Sequence, residues 1–313
     1  MSKFTIPKYC SIVISALLAI FSGAGCAFDS GTAAEPRSTD FDAPQISGTI
    51  RSQDVNESSG VAASKCQSGV FWTHNDSGDG PFIYAFDPKG ENLGTWRVDG
   101  ADNVDWEDIA MAQARDGRCF IYIADIGNNK LNREVLVIYR VEEPAITDSN
   151  KGRQKQDAAT TASAESMRFR YPDKVQDAET LMVDQNTGAI WLLTKRLNEP
   201  SNIYKLRWSN DIEVVTAEKV GTLSVPAVPN GLLTGGDISS DGRRVVVCDY
   251  ARAYEMTLPV DAASVDEIWK QAPKPVDLGK RQAGEAVAYF SDASSILATS
   301  EKLNSPIITA RRK

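Results

Sequence analysis

Five times along its length the chain sets a carboxylate just before a short apolar, strand-like run. The copies are Asn56-Glu57-Ser58-Ser59-Gly60-Val61-Ala62, Asn103-Val104-Asp105-Trp106-Glu107-Asp108-Ile109-Ala110, Asp177-Ala178-Glu179-Thr180-Leu181-Met182-Val183, Gly236-Asp237-Ile238-Ser239 and Gly284-Glu285-Ala286-Val287-Ala288-Tyr289. Their carboxylates lie 107 − 57 = 50, 179 − 107 = 72, 237 − 179 = 58 and 285 − 237 = 48 residues apart. Spacing of that size marks a repeat architecture in which each unit is one supersecondary element.

Each copy runs through a turn into a second β-rich stretch. These stretches are Gly69–Thr73, Cys119–Ala124, Ala189–Thr194, Arg244–Cys248 and Ser295–Thr299. Asp116-Gly117, Asn186-Thr187-Gly188 and Asp241-Gly242 supply hairpin chemistry between the two. Third strands are expected at Phe82–Phe86, Val135–Val141, Asn202–Trp208, Ala253–Leu258 and Pro306–Ala310. Fourth strands are expected at Leu93–Val98, Ser166–Tyr171, Glu213–Lys219 and Pro275–Leu278.

The fifth repeat runs out of chain before a fourth strand, and Gln45–Ser52 offers one at the other end. A sheet completed by the N-terminal strand leaves no open edge, which is how a β-propeller closes. The expected fold is therefore all-β, a five-bladed propeller over residues 46–313. A sixth blade would have to hide in the 72-residue interval. The polar stretch Asp148–Glu165 there carries too little apolar sequence and reads as a disordered loop.

Residues 1–26 read as an export signal. Lys3 and Lys8 form a basic start, Ser11–Phe21 an apolar core too short for a comfortable span, and Gly23-Ala24-Gly25-Cys26 a small-residue cleavage site. Its last residues resemble a bacterial lipoprotein box, which would make Cys26 the lipidated first residue. Gly23 stands where Leu is usual, so cleavage after Ala27 remains the alternative. Residues 27–45, small, polar and acidic, read as a flexible tether. The expected location is the periplasm or cell surface, with the membrane reached only through an N-terminal lipid. Cys66 and Cys119 precede second strands of consecutive repeats. They read either as a cross-blade disulfide or as buried thiols. A formal net charge of −8 speaks against a nucleic-acid partner.

In a propeller the first strand of each blade lines the channel and the second runs antiparallel to it. First-strand starts and second-strand ends therefore share one face. Glu57, Glu107, Glu179, Asp237 and Glu285 are expected to meet there as one carboxylate per blade, with Asp105, Asp108 and Asp177 beside them. Converging carboxylates raise one another's pKa unless a cation neutralises them. Oxygen ligands without His or Cys select Ca²⁺. A water-filled acidic mouth is the other reading.

Second-strand ends add His74-Asn75-Asp76, Asp125, Lys195-Arg196, Asp249 and Glu301. His74 reads as a general base oriented by Asp76 or as part of an Asn-Asp-Ser-Gly turn. Lys195, Arg196 and Arg252 are the cations expected on this face, each suited either to an anionic ligand or to a salt bridge. No base and oxyanion framework accompanies Ser58 and Ser59, and no phosphate-binding or dinucleotide glycine motif occurs.

His-Asn-Asp-Ser-Gly (74–78), Trp-Glu-Asp-Ile-Ala (106–110), Asp-Ile-Gly-Asn-Asn (125–129), Asp-Ala-Glu (177–179) and Gly-Glu-Ala-Val-Ala-Tyr (284–289) together resemble a family of exported bacterial β-propeller proteins. The resemblance runs from about Ser47 to the C-terminus and implies fold and export rather than an activity. More remotely, one ligand per blade on five blades is similar to the calcium-dependent nucleotidases (apyrases). That similarity implies a metal shell at Glu57 or Ser58, Glu107, Glu179, Asp237 and Glu285. The acidic exported β-fold also resembles phytase-type propellers.

Two functions follow. One is a binding module whose acidic, Ca²⁺-occupied face takes a small anionic ligand, a glycan or an envelope protein, with His74, Lys195, Arg196, Arg252 and Glu301 as contacts. The other is a Ca²⁺-dependent phosphohydrolase with Asp76, Asp108 or Asp125 as base. A carboxylate left free beside the metal shell would favour the second.

Overall fold

The computed structural model describes residues 40–225, 232–281 and 283–313. The export signal, Cys26 and most of the tether lie outside those residues. Strand β1 (Gln45–Thr49) precedes the first blade, formed by β2 (Ser58–Ala63), β3 (Phe71–Asn75), β4 (Phe82–Phe86) and β5 (Asn92–Asp99). The second blade holds β6 (Trp106–Gln113), β7 (Cys119–Asp125) and β8 (Leu136–Glu142); after β9 (Ala159–Ser163) it is completed by β10 (Glu165–Arg170). The third holds β11 (Ala178–Asp184), β12 (Ala189–Thr194) and β13 (Ser201–Arg207); after β14 (Val215–Thr216) it is completed by β15 (Glu218–Leu223). The fourth consists of β16 (Leu233–Ile238), β17 (Arg244–Asp249), β18 (Ala253–Thr257) and β19 (Lys274–Val276). The fifth has β20 (Gly284–Tyr289), β21 (Ser295–Ser300) and β22 (Pro306–Arg311), and β1 pairs antiparallel with β22 as its fourth strand. The molecule is a five-bladed β-propeller closed by its N-terminal strand.

Five apolar clusters hold it together, one at each junction of neighbouring blades. The alternation along β7 shows why. Ile121 and Ile123 pack towards the first blade, while Tyr122 and Ala124 pack towards the third. A central strand covered on both faces has no solvent side to mark with polar residues, so it reads as an unbroken apolar run. Among the described residues no helix is long and apolar enough to cross a membrane.

The stretch expected as a disordered loop is structured. Lys155–Asp157 form a 3₁₀ turn, and β9 pairs in parallel with β5 as a fifth strand of the first blade. Strand β14 pairs likewise with β10 of the second blade. The outer edges of these two blades are thereby covered by chain from the following connection, which removes a template for edge-to-edge association there. The fourth strand of the third blade is Glu218–Leu223 rather than the earlier stretch from Glu213. Residues 40–42, read as tether, pair with the C-terminal strand, and Phe41 is buried in the junction of the fourth and fifth blades. Cys66 and Cys119 form a disulfide that joins the first blade's turn to β7.

Candidate functional site

Every innermost strand carries a bulge in the same place. The last regular pairs before it are Ser58↔Asn75, Trp106↔Asp125, Ala178↔Thr194, Leu233↔Asp249 and Gly284↔Ser300. Pairing resumes two residues on, so Ser59, Glu107, Glu179, Thr234 and Glu285 are the five residues left without a cross-strand partner. A bulge re-aims a side chain that the pleat would otherwise turn into the sheet. All five are buried, and they form one ring at the mouth of the channel. The residues just past the second-strand ends, Asp76, Ile126, Lys195, Tyr250 and Glu301, stand at equivalent places outside it.

Carboxylate oxygens of Asp76, Asp105 and Glu107 lie within 4.8 Å of one another, and so do those of Glu107, Asp177 and Glu179. Glu107 belongs to both trios. Lys195 Nζ donates to Glu179 Oε1 at 2.7 Å and also stands over the Tyr250 ring. One trio therefore already contains a cation and the other does not. Asp177 is held in place by accepting from the Asn128 amide at 2.7 Å. The loop carrying Asp105 is pinned by Asp125, whose oxygens accept from the amides of Asp105 and Val104 and from Arg133 Nη2 at 2.7 Å.

Burial raises the pKa of Glu107 well above the usual carboxylate range, and Glu179, Asp76 and Asp105 push it further. Burial likewise lifts Glu179, with Lys195 opposing. Asp105 and Asp177 shift the same way, mainly by burial. Burial works against the Lys195 charge, but Glu179 beside it holds the ammonium pKa above its ordinary value. Glu285 is also raised by burial, then by Glu179 and Glu301. Its Oε2 is buried and makes no hydrogen bond among the described residues.

Glu107, Glu179 and Glu285 thus stand in the ring as the repeat implies, and Asp76 joins them from the outside. Glu57 does not occupy the equivalent position. It is exposed, two residues before the bulge, and bridges to Glu301 at the rim. Asp237 lies three residues beyond Thr234 and deeper in the channel. There its Oδ1 accepts from Ile238 N at 2.8 Å and its Oδ2 from Tyr289 N of the fifth blade at 2.9 Å. Asp108 does the same between the second and third blades, accepting from Ile109 N at 2.8 Å and Leu181 N at 2.9 Å. Innermost strands have no partner on their channel side, so their free amides need such acceptors. Gly60 lets Asp108 approach; a Cβ there would stand 2.7 Å from Asp108 Oδ1 and 2.8 Å from its Cα.

The remaining candidates are more peripheral. His74 is fully buried edge-on to Trp106, with Nδ1 against the Asn75 carbonyl, and burial lowers its pKa. Arg196 is paired with Glu199 and reaches Gln176. Arg252 is half-buried, its amide donating to Asp249 Oδ1 and its side chain beside Tyr254. Glu301 is half-buried next to Glu285.

Ser59, Thr234 and Tyr250 were not among the residues singled out by sequence. Counting back from the hairpin turns finds the first two. In the first, fourth and fifth blades the residue whose amide closes the turn, Ser64, Ser239 or Phe290, lies five residues after its bulge (64 − 59, 239 − 234 and 290 − 285), whereas in the second blade Ala114 lies 114 − 107 = 7 residues after Glu107. No protein-family model matches the chain, and no curated protein matches it.

Proposed function

We propose that this protein is a cation-dependent binding propeller whose channel mouth holds Ca²⁺ at Asp76, Asp105 and Glu107. The observation that carries the reading is the sharing of Glu107 between one carboxylate trio with an internal ammonium and one without. Three hard oxygen donors that make no ion pair among the described residues suit Ca²⁺ better than softer metals. Lys195 beside them suits the charge of a small anionic ligand. A glycan or envelope protein is expected to present that anion at the cell surface, where the basic-apolar leader and Cys26 direct the chain.

Calcium titration followed by thermal unfolding tests this. A ligand that binds only the folded state raises its melting temperature. The expected result is a Ca²⁺-dependent rise that Glu107→Gln removes and Glu57→Gln retains. No rise at millimolar Ca²⁺ would sink the reading.

One observation favours a second reading, a Ca²⁺-dependent phosphohydrolase. Glu285 is a carboxylate beside the trios whose buried Oε2 makes no hydrogen bond among the described residues. Burial and the neighbouring Glu179 favour its protonated form, the form in which a carboxyl group can donate a proton. Bound Ca²⁺ would supply charge to a phosphoryl group there. Assays on nucleotides and phosphate esters decide it: turnover abolished by Glu285→Gln, with Ca²⁺ binding kept, is the outcome this reading requires.

A further inference from the structure

The opposite face of the propeller, where first strands turn into second strands, carries a separate pocket. It is a concavity of about 370 Å³ between the second and third blades. Arg115, Arg140 and Arg207 line it together with Phe120, Tyr122 and Trp208. Three guanidiniums on one concave surface stand out in a chain with a net charge of −8.

Two acids lie close, and both are engaged. Asp184 accepts from the Asn186 backbone and side-chain nitrogens at 3.0 and 3.1 Å and from Thr187 Oγ1. Glu165 pairs with Arg140. Arg207 donates to the Thr187 carbonyl at 2.6 Å. Arg115 is exposed and makes no ion pair or side-chain hydrogen bond among the described residues. Arg140 lies between aromatic rings, 5.0 Å from the Phe120 centroid and 4.4 Å from that of Trp208. Its Nε is buried with no acceptor. Tyr122 meets Trp208 edge-on at 5.7 Å, so this arginine is fixed before anything arrives.

We infer that this pocket binds a small organic anion with a ring-shaped body, its carboxylate held by Arg115 and Arg207 and its ring against Phe120 and Trp208. Guanidinium forks match carboxylates bidentately, and half-buried aromatic side chains offer a flat apolar wall. The inference is independent of the channel mouth, because none of these residues belongs to it.

Sugar acids and aromatic acids share this chemistry, and a titration of the full chain separates them. D-glucuronate and benzoate are titrated calorimetrically, with D-glucose and inorganic sulfate as controls. At least one ring carboxylate is expected to bind, with about a tenfold loss of affinity in Arg115→Ala and in Arg207→Ala. Tighter binding of glucuronate or of benzoate upholds the inference and identifies the class. The inference is overturned if neither carboxylate binds at millimolar concentration. Glucose or sulfate binding equally well, or Arg115→Ala having no effect, overturns it too. Arg115 is exposed and its side chain makes no ion pair or hydrogen bond among the described residues, so its replacement removes no such bond from the fold.

Discussion

A methyl group on Gly127 would stand 2.0 Å from Oε1 of Glu107 and 2.5 Å from Oδ2 of Asp105. The glycine is the space in which two members of the cation-free trio sit. Gly127→Ala meets the carboxylate end of the buried Glu107 and both Cγ and Oδ2 of Asp105, so these side chains must turn away, at a cost of about 1–3 kcal/mol. The displaced carboxylates should bind Ca²⁺ at least tenfold more weakly, since ligand position governs metal affinity. Calcium titrations of wild type and variant at matched stability check this, and equal affinities would remove Gly127 from the site.

Asp108 is expected to act as a stitch between blades. Asp108→Ala leaves the Leu181 and Ile109 amides buried without their acceptor. A cost of about 3 kcal/mol follows from two orphaned donors and the cavity. Denaturant unfolding measures it. Asp237→Ala, which frees the Tyr289 and Ile238 amides, should behave alike. If Asp108 were instead the base of a hydrolase, its loss would abolish turnover and leave stability untouched.

Stability of the metal-free protein should fall as pH rises through the acid range into neutrality. Burial pushes Glu179 from its ordinary 4.5 up to about 7, against the opposing charge of Lys195. Between those values the folded protein keeps a proton that the unfolded chain has released. Raising the pH therefore favours unfolding, and the full stabilisation is present only below about 4.5. Melting temperatures measured in chelator should decline across this window, and Glu179→Gln should flatten the decline. Saturating Ca²⁺ should oppose it by favouring the ionised carboxylates. A rise in stability over the same window without metal would contradict the assignment.

Reduction of Cys66–Cys119 should destabilise the junction of the first two blades. The bridge spans a sequence separation of 53 residues. Closing a loop of that length is worth about 4 kcal/mol if chain entropy alone is counted. Unfolding of the Cys66→Ser/Cys119→Ser protein, compared with the oxidised wild type, gives the value. No difference would mean that the first hairpin turn is fixed by packing alone.

Much of the architecture was legible because it is written locally. Apolar runs such as Ala189–Thr194 state a buried strand, and Asp241-Gly242 states a tight turn. The spare strand at Gln45 could be matched to the missing strand of the fifth repeat by counting alone. Parallel strands β9 and β14 could not be found so, since their polar sequences become strands only by lying along a neighbouring blade's edge. The pairing of Cys66 with Cys119 stayed open for the same reason: it depends on how two blades are placed.

By itself the sequence determined the fold class, the blade number, the closure and three of the five ring positions, Glu107, Glu179 and Glu285. Only the tertiary structure decided the other two. A search by carboxylate chose Glu57 and Asp237, whereas the bulge presents Ser59 and Thr234. The physical reason is register. Which side chain faces the channel is set by counting hydrogen-bonded pairs back from the turn, and a slip of one residue sends every side chain to the other face. The chemistry of a residue does not report its register, so an acid near the right place need not be in it.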